Sequence, residues 1–154
     1  MVVFKLPADN RTDYIKRVVG LPGDKIQMKN GILHINGSPV KRRRIEDYVQ
    51  HFVDRHGNQY HRSFLRYMET LPNGKEHAIL EVTDRAQYDN TGVYTVPTEH
   101  YFAMGDNRDN SQDSRVLPQV GFIPKENLVG RAEVLFFSTN NHARWWSWWC
   151  LWSY

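Results

Sequence analysis

The 154-residue sequence predicts a mainly β protein, an antiparallel β core with an inserted smaller β subdomain and few short helices. Three observations predict it. Short runs rich in Val, Ile, Tyr and Phe alternate with turns marked by Gly, Pro, Asn and Asp. Asn30-Gly31 separates two alternating segments, the strongest short-range hairpin signal. From residue 41 the composition turns polar and charged, and the apolar strand character resumes near residue 92.

Residues 2–6 and 14–19 read as the first two strands. Between the second and third lies Gly20-Leu21-Pro22-Gly23-Asp24, where Pro22 and Gly23 suit the central positions of a type II turn. Residues 25–29 and 32–35 flank Asn30-Gly31. A two-residue loop pairs Lys29 with Ile32, Met28 with Leu33, Gln27 with His34 and Ile26 with Ile35. The period of 2 then places Ile26, Met28, Leu33 and Ile35 on one buried face. Asn36-Gly37 marks another tight turn. In the polar stretch, strand-like pieces fall at residues 48–53, 63–69 and 78–82, with a turn at Pro72-Asn73-Gly74. Residues 92–96, 101–104 and 132–137 read as strands of the resumed core, and a polar loop, 105–115, follows the second of them. The expected organisation is a core of residues 1–40 and 92–143, an inserted β subdomain of residues 41–91, and a Trp-rich tail of residues 144–154.

Hydrophobic residues make up 40% and charged residues 24%, enough for a packed core and too apolar for wholesale disorder. The net charge of +3 is compatible with an anionic membrane surface or with nucleic acid and requires neither. A single cysteine, Cys150, excludes an intrachain disulfide and a cysteine-based zinc site. The seven histidines are scattered without a His-Glu-x-x-His pattern, so no metal or other cofactor is expected. No secretory leader and no apolar stretch of membrane-spanning length is visible.

Two segments can carry chemistry. In the strand around Lys16, alternation places Tyr14, Lys16 and Val18 on one side and Ile15, Arg17 and Val19 on the other. Two adjacent cations therefore face opposite ways, and a core on either side buries one of them. Arginine keeps its proton, whereas burial lowers a lysine pKa until the neutral amine can take a proton from a hydroxyl. The competing reading is an ordinary exposed lysine. The second segment, Gly105-Asp106-Asn107-Arg108-Asp109-Asn110-Ser111-Gln112-Asp113-Ser114-Arg115, holds three Asp, two Arg and two Ser. Its charges nearly cancel, which suits an internal salt-bridge network, and a plain Asx-rich turn is the alternative. A calcium-binding loop starting at Asp109 fails, because Ser114 falls where Gly is required and Val120 where the bidentate Glu belongs.

Taken in this order, Tyr14-Ile15-Lys16-Arg17-Val18-Val19-Gly20-Leu21-Pro22-Gly23-Asp24 and the segment from Gly105 to Arg115 resemble the lysine box and the carboxy-terminal signature of the bacterial type I signal peptidases. These are leader peptidases that use a Ser/Lys dyad. Val2-Val3-Phe4-Lys5-Leu6-Pro7 resembles the strand before the lysine box. Gly121-Phe122-Ile123-Pro124 and Asn127-Leu128-Val129-Gly130-Arg131-Ala132 resemble the usual continuation. The resemblance implies an antiparallel β catalytic core with an inserted β domain. It implies a serine endopeptidase that removes signal peptides from exported preproteins after Ala-x-Ala-like sites. Lys16 corresponds to the general base and Ser111 to the serine that positions its amine. Asp113 and Arg115 belong to a salt-bridged scaffold with Arg17 and Asp106 as partners. Substrate adds as a β-strand along Asp13-Tyr14-Ile15. Tyr14 and Ile15 line the first small pocket, and Val3, Asp13 and Ile15 border the second.

The family's nucleophile lies in a Ser-x-Ser-Met-x-Pro box upstream of the Val-Val-Phe strand, and none of the seven serines here sits in such a box. The expectation is a carboxy-terminal catalytic region without serine box or membrane anchor, inactive alone. In the full-length protein it would stand on the outer, periplasmic side of the bacterial cytoplasmic membrane. The expected partners are signal peptides and the membrane surface, with no nucleic acid, and the chain is expected to be a monomer. All five tryptophans fall between Trp145 and Trp152, which suits a membrane interface or a frameshifted end. The alternatives are a LexA-like self-cleaving Ser/Lys regulator and a nucleic-acid-binding β domain using Lys41-Arg42-Arg43-Arg44. That basic run reads as a solvated turn and lacks interleaved aromatics for base stacking.

Overall fold

A computed structural model describes residues 1–132. In chain order its strands are β1 (Val2–Lys5), β2 (Asp13–Gly20), β3 (Lys25–Lys29), β4 (Ile32–Ile35), β5 (Ser38–Pro39) and β6 (Lys41–Val53). There follow β7 (Gln59–Thr70), β8 (Glu76–Glu81), β9 (Tyr94–Thr95), β10 (His100–Met104), β11 (Ile123–Pro124) and β12 (Leu128–Arg131). Single 3-10 turns at Arg108–Asn110 and Lys125–Asn127 are the helical segments among the described residues. The protein is mainly antiparallel β, the class its alternating apolar runs predict. No helix of the described residues is long and apolar enough to cross a membrane.

The strands form three sheets, in the orders β11-β10-β2-β1-β12, β5-β4-β3-β9 and β6-β7-β8. The β3–β4 register is the one the two-residue loop predicts, with Ile26 opposite Ile35 and Met28 opposite Leu33. Asn30 and Gly31 both take positive φ, 49° and 72°, as a type I′ turn requires. The Pro22-Gly23 turn closes through Asp24 N–H donating to the Leu21 carbonyl at 3.0 Å, with Gly23 at φ 88°.

Two apolar clusters lie in the core. One gathers Val19, Phe102 and Met104 against Ile26, Met28, Leu33 and Ile35. The other gathers Phe4, Ala103, Val120 and Ile123, with Val2, Leu6, Tyr14 and Leu128 packed on it. Burying side chains of this size is worth roughly 1.5–3 kcal/mol each.

The stretch after residue 41 departs from expectation. The pieces predicted at 48–53 and 63–69 are parts of a long antiparallel ribbon, β6 against β7, whose register shifts between Ile45 and Tyr48, and the piece at 78–82 falls on β8. Lys41-Arg42-Arg43-Arg44 opens β6 and is not a turn. Cross-strand partners hold these charges extended. Arg42 donates to Glu81 Oε2 at 2.8 Å and to Asp84 Oδ1 at 3.0 Å, and lies 4.4 Å over the Tyr67 ring. Arg44 lies 5.4 Å over the same ring and also pairs with Asp47 of its own strand. Pairing of this kind stabilises a strand that intrinsic propensity does not announce. The Trp-rich tail and, beyond Ala132, the strand expected over residues 132–137 lie outside the described residues.

Candidate functional site

Strand β2 sets the geometry of the site. Its first half pairs with β1, placing Val2 opposite Lys16, Val3 opposite Ile15, Phe4 opposite Tyr14 and Lys5 opposite Asp13. Its second half pairs with β10, from Arg17 opposite Met104 to Gly20 opposite Phe102. Over residues 13–16, no described strand occupies the edge of β2 that faces away from β1. Directly opposed residues share a face, so Lys16 lies with Val2, Tyr14 and Phe4 on the side of the second apolar cluster.

Burial on that side pushes the Lys16 amine below its ordinary 10.5. Arg115 lowers it further, while Asp113 and Asp106 pull the other way without restoring it. The amine donates to Ser111 Oγ at 3.0 Å and lies 5.6 Å over the Tyr14 ring. A neutral amine keeps one lone pair. Its hydrogen bond to Ser111 fixes the direction in which that lone pair points.

The loop that carries Ser111 is braced by charge. Arg17, on the opposite face of β2 from Lys16, makes a two-pronged bond to Asp106, 2.8 Å from Nε to Oδ1 and 2.8 Å from Nη2 to Oδ2. Asp113 is fully buried and accepts from the Gly105 backbone at 2.9 Å and from Arg115 Nε and Nη2 at 2.9 and 2.8 Å. Burial alone would raise the Asp113 carboxyl, but Arg115 and the backbone donors hold it below the ordinary range. Arg115 also donates to the Arg108 carbonyl at 2.6 Å. Ser114, in contrast, is tied into the sheet, its Oγ accepting from Ala103 N–H at 3.0 Å.

Lys16, Ser111, Arg17, Asp106, Asp113 and Arg115 thus converge on the middle of β2. Val3, Asp13 and Ile15 lie together on the other face of the β1–β2 pair, where Lys5 bonds Asp13 at 2.7 Å. Tyr14 is not brought to that face. It stands beside Lys16 and donates to Gln112 Oε1 at 3.0 Å.

Three features of the site have no counterpart in the sequence reading. A Cβ on Gly105 would overlap the Ser111 hydroxyl and come within 3.5 Å of the Lys16 amine, so the contact needs a glycine. Gln112 links Tyr14 to Gln119. Arg108, fully buried, is paired with Glu69 of β7, which His77 of β8 approaches at 3.1 Å. Gly105 lacks a positive φ, so its need is visible only as a glycine at the exit of a strand, a weak signal.

Residues 1–137 match the family described as Signal peptidase, peptidase S26. The chain is 41% identical over 152 residues to a protein named Signal peptidase I of Rickettsia typhi, covering 95% of this chain and 53% of that protein. The protein of the same name from Rickettsia canadensis is 40% identical with the same coverage. The one from Rickettsia bellii is 38% identical, covering 95% of this chain and 48% of that protein. The chain spans about half the length of the curated relatives it matches. Among solved structures, a signal peptidase I of Enterococcus faecalis is similar with 20% identity and a TM-score of 0.45, covering 86% of this chain and 92% of that chain.

Proposed function

This chain belongs to the signal peptidase family, peptidase S26, and from that premise we propose that it carries the base half of a Ser/Lys dyad that removes signal peptides from exported preproteins. The observation that supports this reading best is the Lys16–Ser111 pair. A lysine amine is lowered by burial, held by one hydroxyl at 3.0 Å, and seated where the free edge of β2 ends.

The chemistry follows from the amine. Neutral Lys16 takes the proton of a serine hydroxyl as that oxygen attacks the scissile carbonyl. The resulting ammonium returns the proton to the leaving amine, giving an acyl-enzyme, and the amine then activates water to hydrolyse it. Ser111 and the Arg17–Asp106 and Asp113–Arg115 pairs act as positioning groups. Substrate is read as an added strand on the free edge at Asp13–Lys16, where main-chain hydrogen bonds hold it and small pockets near Val3, Asp13 and Ile15 select Ala.

The nucleophile is assigned to a Ser-x-Ser-Met-x-Pro box, and residues 1–154 contain none. Ser114 is committed to Ala103, and Ser38 and Ser63 lie in the other two sheets. The 154-residue chain therefore does not cleave an Ala-x-Ala peptide by itself. Turnover that vanishes in Lys16→Ala would overturn this, and a covalent acyl adduct on Ser111 would make Ser111 the nucleophile.

The same proposal divides the chain into a catalytic core of residues 1–40 and 92–143 and an inserted subdomain of residues 41–91. The separate β6-β7-β8 sheet supports this division. The proposed setting of the full-length protein is the outer side of a bacterial cytoplasmic membrane.

A further inference from the structure

The β6–β7 ribbon does more than decorate the core. One of its faces, carrying Gln50, Phe52, Arg62 and Phe64, looks across a cleft at the loop that holds Ser111. The cavity between them is about 620 Å³, within the range of sites that hold a sizeable ligand. Ser111 is part of its wall, and Ser111 holds the Lys16 amine. The cleft therefore opens beside the reacting centre.

Resting on the peptidase reading above, we propose that this cleft binds the polypeptide segment that follows the scissile bond. The topology supplies the first reason. The free edge of β2 ends at Lys16, because β10 occupies that edge from Arg17 onward. A substrate strand added along residues 13–16 cannot continue in the sheet and has to leave it at Lys16. The cleft begins one hydrogen bond away, at Ser111.

The lining supplies the second reason. Five carboxamides, Gln50, Asn107, Asn110, Gln112 and Gln119, face the cavity. Asn110 donates to Asn107 and Gln112 to Gln119, and each amide keeps a further N–H and a further lone pair, the same kinds of group that a peptide presents, so they recognise main chain whatever its side chains. A segment of unrestricted sequence needs recognition of that kind. Phe52, stacked on Tyr60 at 5.1 Å, gives the ribbon wall a flat apolar surface, and the Arg62 guanidinium lies 5.0 Å over the buried Phe64 ring beside it. The opposite wall is fixed by Asp109, whose Oδ2 accepts from the backbone N–H groups of Val82 and Thr83 at 2.6 and 3.0 Å. The cleft is thus held by both the ribbon sheet and the signature loop.

The test is binding to the full 154-residue chain by fluorescence anisotropy, which needs no turnover. The short probe is a fluorescein-labelled peptide amide that ends on Ala-x-Ala. The long probe carries six further residues of Ser, Gln and Thr. The long probe binds about tenfold more tightly than the short one. The double substitution Gln50→Ala/Arg62→Ala, on the ribbon wall, brings the long probe to the affinity of the short probe and leaves the short probe unchanged. An unaltered urea midpoint shows that this variant is folded. Equal affinity of the two probes for the native chain overturns the inference while the peptidase reading stands. So does a tenfold gain that survives the double substitution, or an equal loss for both probes. Failure of both probes to bind overturns both readings.

Discussion

Gly105 makes room for Ser111: a Cβ at position 105 would overlap the Ser111 hydroxyl and approach the Lys16 amine to 3.5 Å. The distance of 3.0 Å between Lys16 and Ser111 therefore depends on the absence of a side chain on the strand exit opposite them. Gly105→Ala forces Ser111 outward or the loop away from β10. Overpacking of this order costs about 1–3 kcal/mol. Its expected signature is a lowered urea midpoint together with a changed Lys16 side-chain resonance, while Gly37→Ala, at an open turn, leaves that resonance in place.

Arg108 and Glu69 form a buried pair across the loop and β7, each about 1% exposed. Burial alone would raise Glu69, yet Arg108 and His77 hold it down at about 2. Glu69→Gln keeps the shape and removes the charge, leaving the Arg108 guanidinium buried without its counter-ion. The expected loss is about 3–5 kcal/mol, read from urea unfolding at neutral pH. The pH dependence has a definite sign. A carboxylate held below its unfolded value stabilises fully above about 4.5, and that stability is lost as pH falls toward about 2. The acid limb of the native unfolding curve is correspondingly steeper than that of Glu69→Gln.

Glu81 behaves in the opposite way. Burial pushes it up to about 8, its hydrogen bond with Asp84 adds to the rise, and Arg42 opposes both. A carboxyl raised in the folded state stabilises fully below about 4.5 and loses that contribution as pH rises through about 8. Between pH 5 and pH 8.5 the native chain is expected to lose about 4 kcal/mol that Glu81→Gln does not lose. Urea midpoints of the two proteins at both pH values check this. Parallel curves would show that Glu81 is ionised throughout.

The β3–β4 hairpin was legible because Asn30 and Gly31 specify backbone angles that few residues tolerate, and the alternation of Ile26, Met28, Leu33 and Ile35 agrees with the register they impose. The β6–β7 ribbon was not, because its first half is built of charged residues. Arg42 needs Glu81 and Tyr67, which lie 39 and 25 positions away, before it reads as strand. The site divides in the same manner. Lys16 and Ser111 stood out through the long motifs around them, although 95 positions separate them. The steric demand on Gly105 and the burial of Arg108 on Glu69 arise only when distant segments meet, and no local pattern encodes them.

The proposed mechanism requires Lys16 to be poised as a base by burial on the face of Phe4 and Ala103. Its most direct measurement is an NMR titration of the lysine Cε and Nζ resonances in the 154-residue chain, with the Lys16 signal assigned by its absence in Lys16→Arg. The expected Lys16 midpoint lies clearly below the 10.5 of an ordinary lysine, and that of Lys125, bonded to Glu99 at 3.0 Å, above it. A Lys16 midpoint at or above 10.5 in the folded chain would contradict the account and make Lys16 a structural cation.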